Sequence, residues 1–339
     1  MTAATSLVTD RPVSLFDRSD RLRMQFTGAK AAESLTGLVT NDVLALHGGD
    51  GTYACALTVK GRVIADVRIL AMAGEAGTVA SFLVDANAAG GTGFAAMIRK
   101  YVNPRLAKYV DITSASACLT LDGADAIALL LRLGAGLSAA TEVREGPDFT
   151  HRDIVIDDVP VRLVRVPDLG STTTFDLHVD RASAAVLAAA LTAAGAVRSD
   201  ETEWHRRRIV AGRPEWGPDM DEGTLAQEAN MDALHAISYQ KGCYTGQETV
   251  ARVHFRGHVN RTLRRVRYGG SVAPPIGAPL LAGDASVVGD ARSTAVGDDG
   301  QLVGIAMLRR TVEGGSVLTW TDADGAAQTA VVVGEADAG

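Results

Sequence analysis

The stretch KGCYTGQETVARVHFRGHVNR, Lys241 to Arg261, contains Cys243, one of three cysteines in the chain. A thiol attacks or ligates as its thiolate, and a neighbouring cation favours that form. Lys241 stands just upstream, and Gly242 allows close backbone approach to a partner. Cys243 therefore reads either as a reactive thiol or as a buried structural cysteine. Between Lys241 and Arg267 seven basic residues (Lys241, Arg252, Arg256, Arg261, Arg264, Arg265, Arg267) stand against Glu248 alone. Such a strip suits an anionic ligand or an RNA backbone, tRNA included; the other reading is a solvated strand edge that discourages pairing. His254 and His258 are four residues apart, but no third ligand is evident, so no metal is expected.

A second group of residues lies in LVTNDVLALHGGDGTYACALTVKGRVIADVRIL, Leu38 to Leu70. Asp42 follows a short helix expected over Gly28 to Leu38, with Thr27 as its cap, and could itself cap or close a turn. Asp66 falls in the middle of an expected strand, where acidic residues are unusual.

These residues need elements to hold them. Two β-rich runs meet at Lys60-Gly61 as a hairpin, and a strand follows at Thr78 to Val84. A helix is expected from Thr92 to Tyr101 and a strand from Tyr109 to Leu121. GADAIALLLRLG and RASAAVLAAALTAAG read as helices ending at glycine. DIVIDDVPVRLVRVPD gives two strands about Asp157-Asp158, STTTFDLHVD a third, and Glu201 to Ala211 another helix. Within RVHFRGHVN charged and apolar residues alternate, which predicts a half-buried strand after a glycine-rich loop. After about residue 262 helical periodicity ends, and short β runs punctuated by Gly, Pro and Asp predict a small barrel or sandwich. The result is an α+β chain of three parts: residues 1–240, within which two intertwined halves share a rhythm, a signature loop and strand over 241–261, and a C-terminal β-barrel over 262–339.

Composition narrows the function classes. The 339 residues are 47% hydrophobic and 22% charged, as in ordinary globular proteins, and the formal net charge of −7 argues against wholesale wrapping of nucleic acid. Three widely spaced cysteines provide no disulfide framework and fall short of the four thiolates of a one-chain iron–sulfur cluster. The first residues carry charges throughout, and no run approaches the length of a membrane span. A cytoplasmic protein, a monomer with no membrane contact, is expected.

KGCYTGQETVAR followed by RGHVNR, together with LVTNDVLAL and KGRVIAD, resembles the YgfZ family. These proteins are folate-binding relatives of the glycine-cleavage T-protein and support iron–sulfur enzymes, including those that modify tRNA. The resemblance spans roughly Leu15 to Leu308. It implies three domains around a central folate channel, with tetrahydrofolate as cofactor and iron–sulfur client enzymes as partners. It implies that Cys243 is the functional thiol, and that Asp42 is the carboxylate facing the reacting folate nitrogen. Lys241 and Arg252 belong to the same signature as ligand-binding residues. One departure stands out: the pteridine-gripping glutamate of relatives corresponds to Val210, which accepts no hydrogen bonds, and Glu203 and Glu215 are its neighbours in sequence. An alternative reading is a folate-dependent aminomethyl or methyl transferase with Asp42 as acid/base.

Overall fold

The computed structural model describes residues 11–170 and 173–335. The chain opens with β1 (Ser14–Asp17) and β2 (Leu22–Thr27), then α1 (Ala31–Leu38). A meander follows, β3 (Gly51–Leu57), β4 (Val63–Ala73) and β5 (Val79–Ala86), then α2 (Ala88–Tyr101) and β6 (Lys108–Asp111). The second region runs β7 (Ser116–Asp122), α3 (Ala126–Arg132), α4 (Leu137–Glu145), β8 (His151–Ile156), β9 (Val159–Arg165), β10 (Thr174–Asp180), α5 (Ala184–Ala193) and β11 (Val197–Arg198). After α6 (Glu201–Ala211) the chain winds without regular structure to α7 (Gln247–Arg256). It ends in β12 (Arg261–Tyr268), β13 (Pro279–Leu281), β14 (Val287–Val296), β15 (Leu302–Arg309), β16 (Val317–Thr321) and β17 (Ala327–Glu335).

The first sheet has strand order β3-β4-β5-β2-β6, the second β8-β9-β10-β7-β1-β11. Each is a three-strand meander laid beside the strand that precedes it in sequence, so the two regions share one connectivity. The difference is β1, which leaves the first region and inserts between β7 and β11. Tight turns set the meanders. Gly61 takes φ 74° in the β3–β4 hairpin, and Asp157 and Asp158 (φ 49° and 61°) close β8–β9 in the left-handed region that short polar side chains tolerate. The stretch expected as one strand, Tyr109 to Leu121, divides between the sheets. Asp111 accepts the Thr113 backbone N–H and turns the chain between β6 and β7.

α1 and α2 cover one face of the first sheet around Phe26, Leu35, Ile69, Phe94 and Ile98. α3, α4 and α5 cover one face of the second around Leu121, Leu130, Leu163 and Leu191. The two sheets meet through a thin apolar layer of Leu70, Met72, Leu83, Phe149 and Val164. Charge joins them as well: Arg68 on β4 reaches Asp176 on β10 at 2.6 Å and also pairs with Asp168. The C-terminal strands close into a barrel, β12-β15-β14-β13-β16-β17, filled by Trp320, Leu280, Leu308 and Val332. A further cluster (Cys55, Leu57, Met231, Val250, Leu263, Met307) welds barrel, winding segment and first sheet together. No described helix is long and apolar enough to cross a membrane.

Two further local expectations change. α1 starts later than predicted, with Lys30 rather than Thr27 at its N-cap. Residues 247–256 form α7, not a strand. Gly246 (φ 86°) ends the preceding loop, Glu248 stands in the first turn, and Gly257 terminates the helix. Val250 is its buried anchor.

Candidate functional site

The C-terminus of α1 leaves carbonyls without intrahelical partners. Lys241 fills that need. Its Nζ donates to Thr36 O at 2.5 Å and Val39 O at 2.6 Å, with the side chain 8% exposed. Burial lowers its ammonium to about 8, against the opposing pull of nearby Asp42. The rest of the signature loop is strapped to the same segment. Ser238 N donates to Thr40 O, Thr40 Oγ1 to Ala236 O, and Thr245 N to Gly37 O. Gly246 then passes so close to the β3–β4 turn that a Cβ there would lie 2.5 Å from Thr58 O. Between these anchors Cys243 is exposed, whereas Lys241 and Tyr244 are buried. The two signature blocks thus come together. The ammonium of Lys241 is engaged by the carbonyls at the end of α1.

Asp42 is half-buried beside this strap. Its Oδ1 accepts Leu44 N at 3.0 Å, closing a turn. Neighbouring Asn41 donates to Tyr53 O and His235 O, tying β3 to the winding segment. Arg252 is exposed on α7 and makes no ion pair among the described residues. His254, on the same helix, stacks on Tyr239 with ring centroids 3.6 Å apart.

The basic strip is largely consumed inside the chain. Arg261 pairs with Glu228 at 3.0 Å, Arg264 donates to the carbonyls of Val312 and Gly334, Arg265 donates to Val210 O, and Arg267 pairs with Asp299. Of the seven, Arg252 and Arg256 face solvent free of partners among the described residues.

A cavity of about 510 Å³ opens between the sheets and the winding segment, lined by Gly51, Tyr53, Phe149, Arg165, Arg213 and His235 among others. It adjoins an inner recess of about 40 Å³ through the shared Tyr53, Arg213 and Leu234. The Tyr53 and Phe149 rings are nearly parallel, 17° apart, with centroids at 6.2 Å. Phe149 holds φ 68°, a strained backbone for an aromatic residue. In the recess Tyr53 Oη donates to Asp66 Oδ2 at 2.9 Å, while Asp66 Oδ1 is buried with no partner. Burial pushes the Asp66 carboxyl up, against the pull of Arg21 and the tyrosine hydroxyl. Glu215 also lines the recess. It lies 2.9 Å from Arg208, 3.0 Å from His205 and 3.5 Å from Arg18, and accepts from Asn87 at 3.0 Å. Burial alone would raise its carboxyl; His205, Arg208 and Arg18 hold it at about 2.

Neither Cys243 nor Asp42 is among the residues lining these chambers, and Val210 lines a cleft against the barrel with Arg265 and Asp298. The residues that sequence reasoning missed are Tyr53, Phe149, Arg213 and the orphaned oxygen of Asp66. Only Asp66 carried a signal, an acid in the middle of a strand. An orphaned carboxylate oxygen beside an aromatic pair and two arginines fits a flat, N–H-bearing heterocycle with an anionic tail.

Comparison with known proteins agrees with this architecture. The family described as GCVT N-terminal domain matches residues 3–239. The iron-sulfur cluster assembly factor IBA57 homolog, mitochondrial, of Neurospora crassa is 28% identical over 81% of this chain, which spans only 58% of that protein. The tRNA-modifying protein YgfZ of Yersinia enterocolitica is 27% identical, covering 82% of this chain and 78% of its own. That of Escherichia coli is 25% identical over 92% and 90%. The crystal structure of glycine cleavage system aminomethyltransferase T from Bartonella henselae superposes with a TM-score of 0.82 at 18% identity, covering 96% of this chain and 86% of its own. The chain belongs to the GCVT N-terminal domain family, and the relatives that it matches over most of their length include YgfZ proteins.

Proposed function

We propose that this chain is a tetrahydrofolate-binding accessory protein that supports iron–sulfur enzymes, tRNA-modifying ones among them, with Cys243 as its functional thiol. The observation that carries the reading is the placement of Cys243: an exposed sulfur on a loop pinned on both sides by buried residues. A thiol so held can meet a partner's iron or sulfur without first being ordered, which lowers the entropy cost of the encounter. The printed names of the relatives, an iron-sulfur cluster assembly factor and tRNA-modifying proteins, support the client class.

In the cavity, Tyr53 and Phe149 would flank the folate ring, Asp66 Oδ1 would accept a ring N–H, and Arg165 and Arg213 would meet the carboxylate tail. Bound tetrahydrofolate supplies a carrier of one-carbon units. Glu215 rather than position 210 is the glutamate in the recess, so Val210 leaves the chamber intact. Folate and thiol occupy different places, and the two roles separate experimentally. Cys243→Ser should abolish support of a client iron–sulfur enzyme while tetrahydrofolate binding, followed by calorimetry, stays unchanged. Asp66→Asn should weaken tetrahydrofolate tenfold or more. Client activity that survives Cys243→Ser would overturn the thiol role.

A second reading has its own observation. A buried carboxyl held above its usual range is suited to proton transfer, so the same chamber could serve an aminomethyl transferase with Asp66 as acid/base in place of Asp42. Turnover that persists in Cys243→Ser and ends in Asp66→Asn would select it.

A further inference from the structure

A second cavity, of about 420 Å³, lies between the sheets away from the signature loop. Met72, Leu83, Ile154 and Val161 give it an apolar wall, and Arg23 and His178 line it as well. Its volume falls within the usual range of small-molecule sites.

Arg23 is the anomaly. It is wholly buried, and no carboxylate lies within ion-pair distance of it among the described residues. Its Nε donates to Ser116 Oγ, and its Nη2 is near the carbonyls of Ser19, Thr113 and Ser116, but Nη1 has no partner. Asp85 stands opposite Arg23 in the β2–β5 register, yet it is taken by Arg21 at 2.5 Å and Arg68 at 3.9 Å. Arg181 donates to the same Ser19 and Thr113 carbonyls, so a second guanidinium crowds the first. Burying a cation without an opposite charge beside it is costly, because the low-dielectric interior does not replace the solvation lost. His178 Nδ1, also buried, has no partner either.

A cation does not resolve this. Cys118, Asp176 and His178 bring ligand atoms within 4.8 Å of one another. However, Asp176 already accepts from Arg68 and Thr120, and burial pushes the Cys118 thiol well up. Asp153 and Asp180 also line the cavity, both exposed, and Asp153 is paired with Arg162 at 2.8 Å. The buried group left without an anionic partner is the Arg23 guanidinium.

We propose that this cavity binds a small amphipathic carboxylate, its head completing the hydrogen bonds and charge of Arg23 and its body lying on Met72, Leu83 and Val161. This is independent of the folate reading, which concerns the other chamber. The test is calorimetry of the full chain with octanoate, benzoate and 4-phenylbutyrate, with 1-octanol as the uncharged control. Saturable binding of at least one carboxylate and none of octanol is expected. Arg23→Gln, checked for folding by circular dichroism, should weaken that binding at least tenfold. Gln25→Trp, at the exposed mouth, should block it without touching the guanidinium. Tetrahydrofolate binding should be unchanged in both variants. Absence of carboxylate binding in the wild type overturns the proposal, as does binding that both variants leave unchanged.

Discussion

Replacing Lys241 by methionine tests how the signature loop is held. The methionine keeps most of the stem packing against Tyr244, whose ring lies 4.7 Å from Nζ, and removes the two donors to Thr36 O and Val39 O. Each charge-assisted bond contributes about 1.5–3 kcal/mol net. Against them stands the cost of burying the ammonium. A fall from 10.5 to about 8 corresponds to roughly 3 kcal/mol at about 1.4 kcal/mol per pH unit. At pH 7 the variant should therefore be less stable by up to about 3 kcal/mol. The sign with pH is the discriminating part. Because the folded value lies below the unfolded one, the unfolded chain holds the extra proton between about pH 8 and 10.5. Wild-type stability relative to Lys241→Met should therefore rise through that window, by up to ~1.4 kcal/mol per unit. Urea unfolding of both proteins from pH 7 to 10 measures the gap. A gap that narrows with rising pH would mean that the folded chain holds the Lys241 proton more tightly than the unfolded one, and the argument that burial lowers the ammonium would fail.

Glu215→Gln should cost about 2–3 kcal/mol at neutral pH, since it strips His205, Arg208 and Arg18 of their shared carboxylate. The wild-type carboxyl is depressed to about 2, so its contribution is complete above about 4.5 and is lost as pH falls towards 2; acid titration of urea midpoints should show that limb flattened in the variant. Gly246→Ala should destabilise by at least ~2 kcal/mol, because φ 86° and a carbonyl 2.5 Å from the new Cβ leave no room; thermal unfolding reports it. Tyr53→Leu removes the hydroxyl donor to Asp66 and one ring of the aromatic pair, and should weaken tetrahydrofolate about tenfold or more by calorimetry.

The barrel, the Lys60-Gly61 hairpin and α6 were legible because turn residues and apolar periodicity agree there. Asp200, for example, accepts from Glu203 N, and Gly212 closes α6 at φ 77°. α7 was misread because Arg252 to Asn260 alternates by type, and only Val250 is buried to reveal a helical face. The chamber was the least legible part. Tyr53 and Phe149 are about a hundred residues apart in sequence, and their pairing depends on how two sheets stack. Asp42 was singled out by its neighbours in sequence, whereas the recess is lined by Asp66, one hairpin later. Lys241 was placed correctly beside Cys243 along the chain, but a flexible four-carbon stem lets its charge act elsewhere.

The insertion of β1 into the second sheet bears on biosynthesis. Once translated, β1 finds its partners only when Leu119–Asp122 and Val197–Arg198 have followed it, so most of the distance to α6 must be translated before β1 is paired on both sides. The region from β2 to β6 holds a complete sheet and two helices and can assemble meanwhile. Such distant pairing slows folding. It also locks the halves like a clasp, so that trimming the chain at either end of the first two hundred residues disrupts the second sheet, not a separable module.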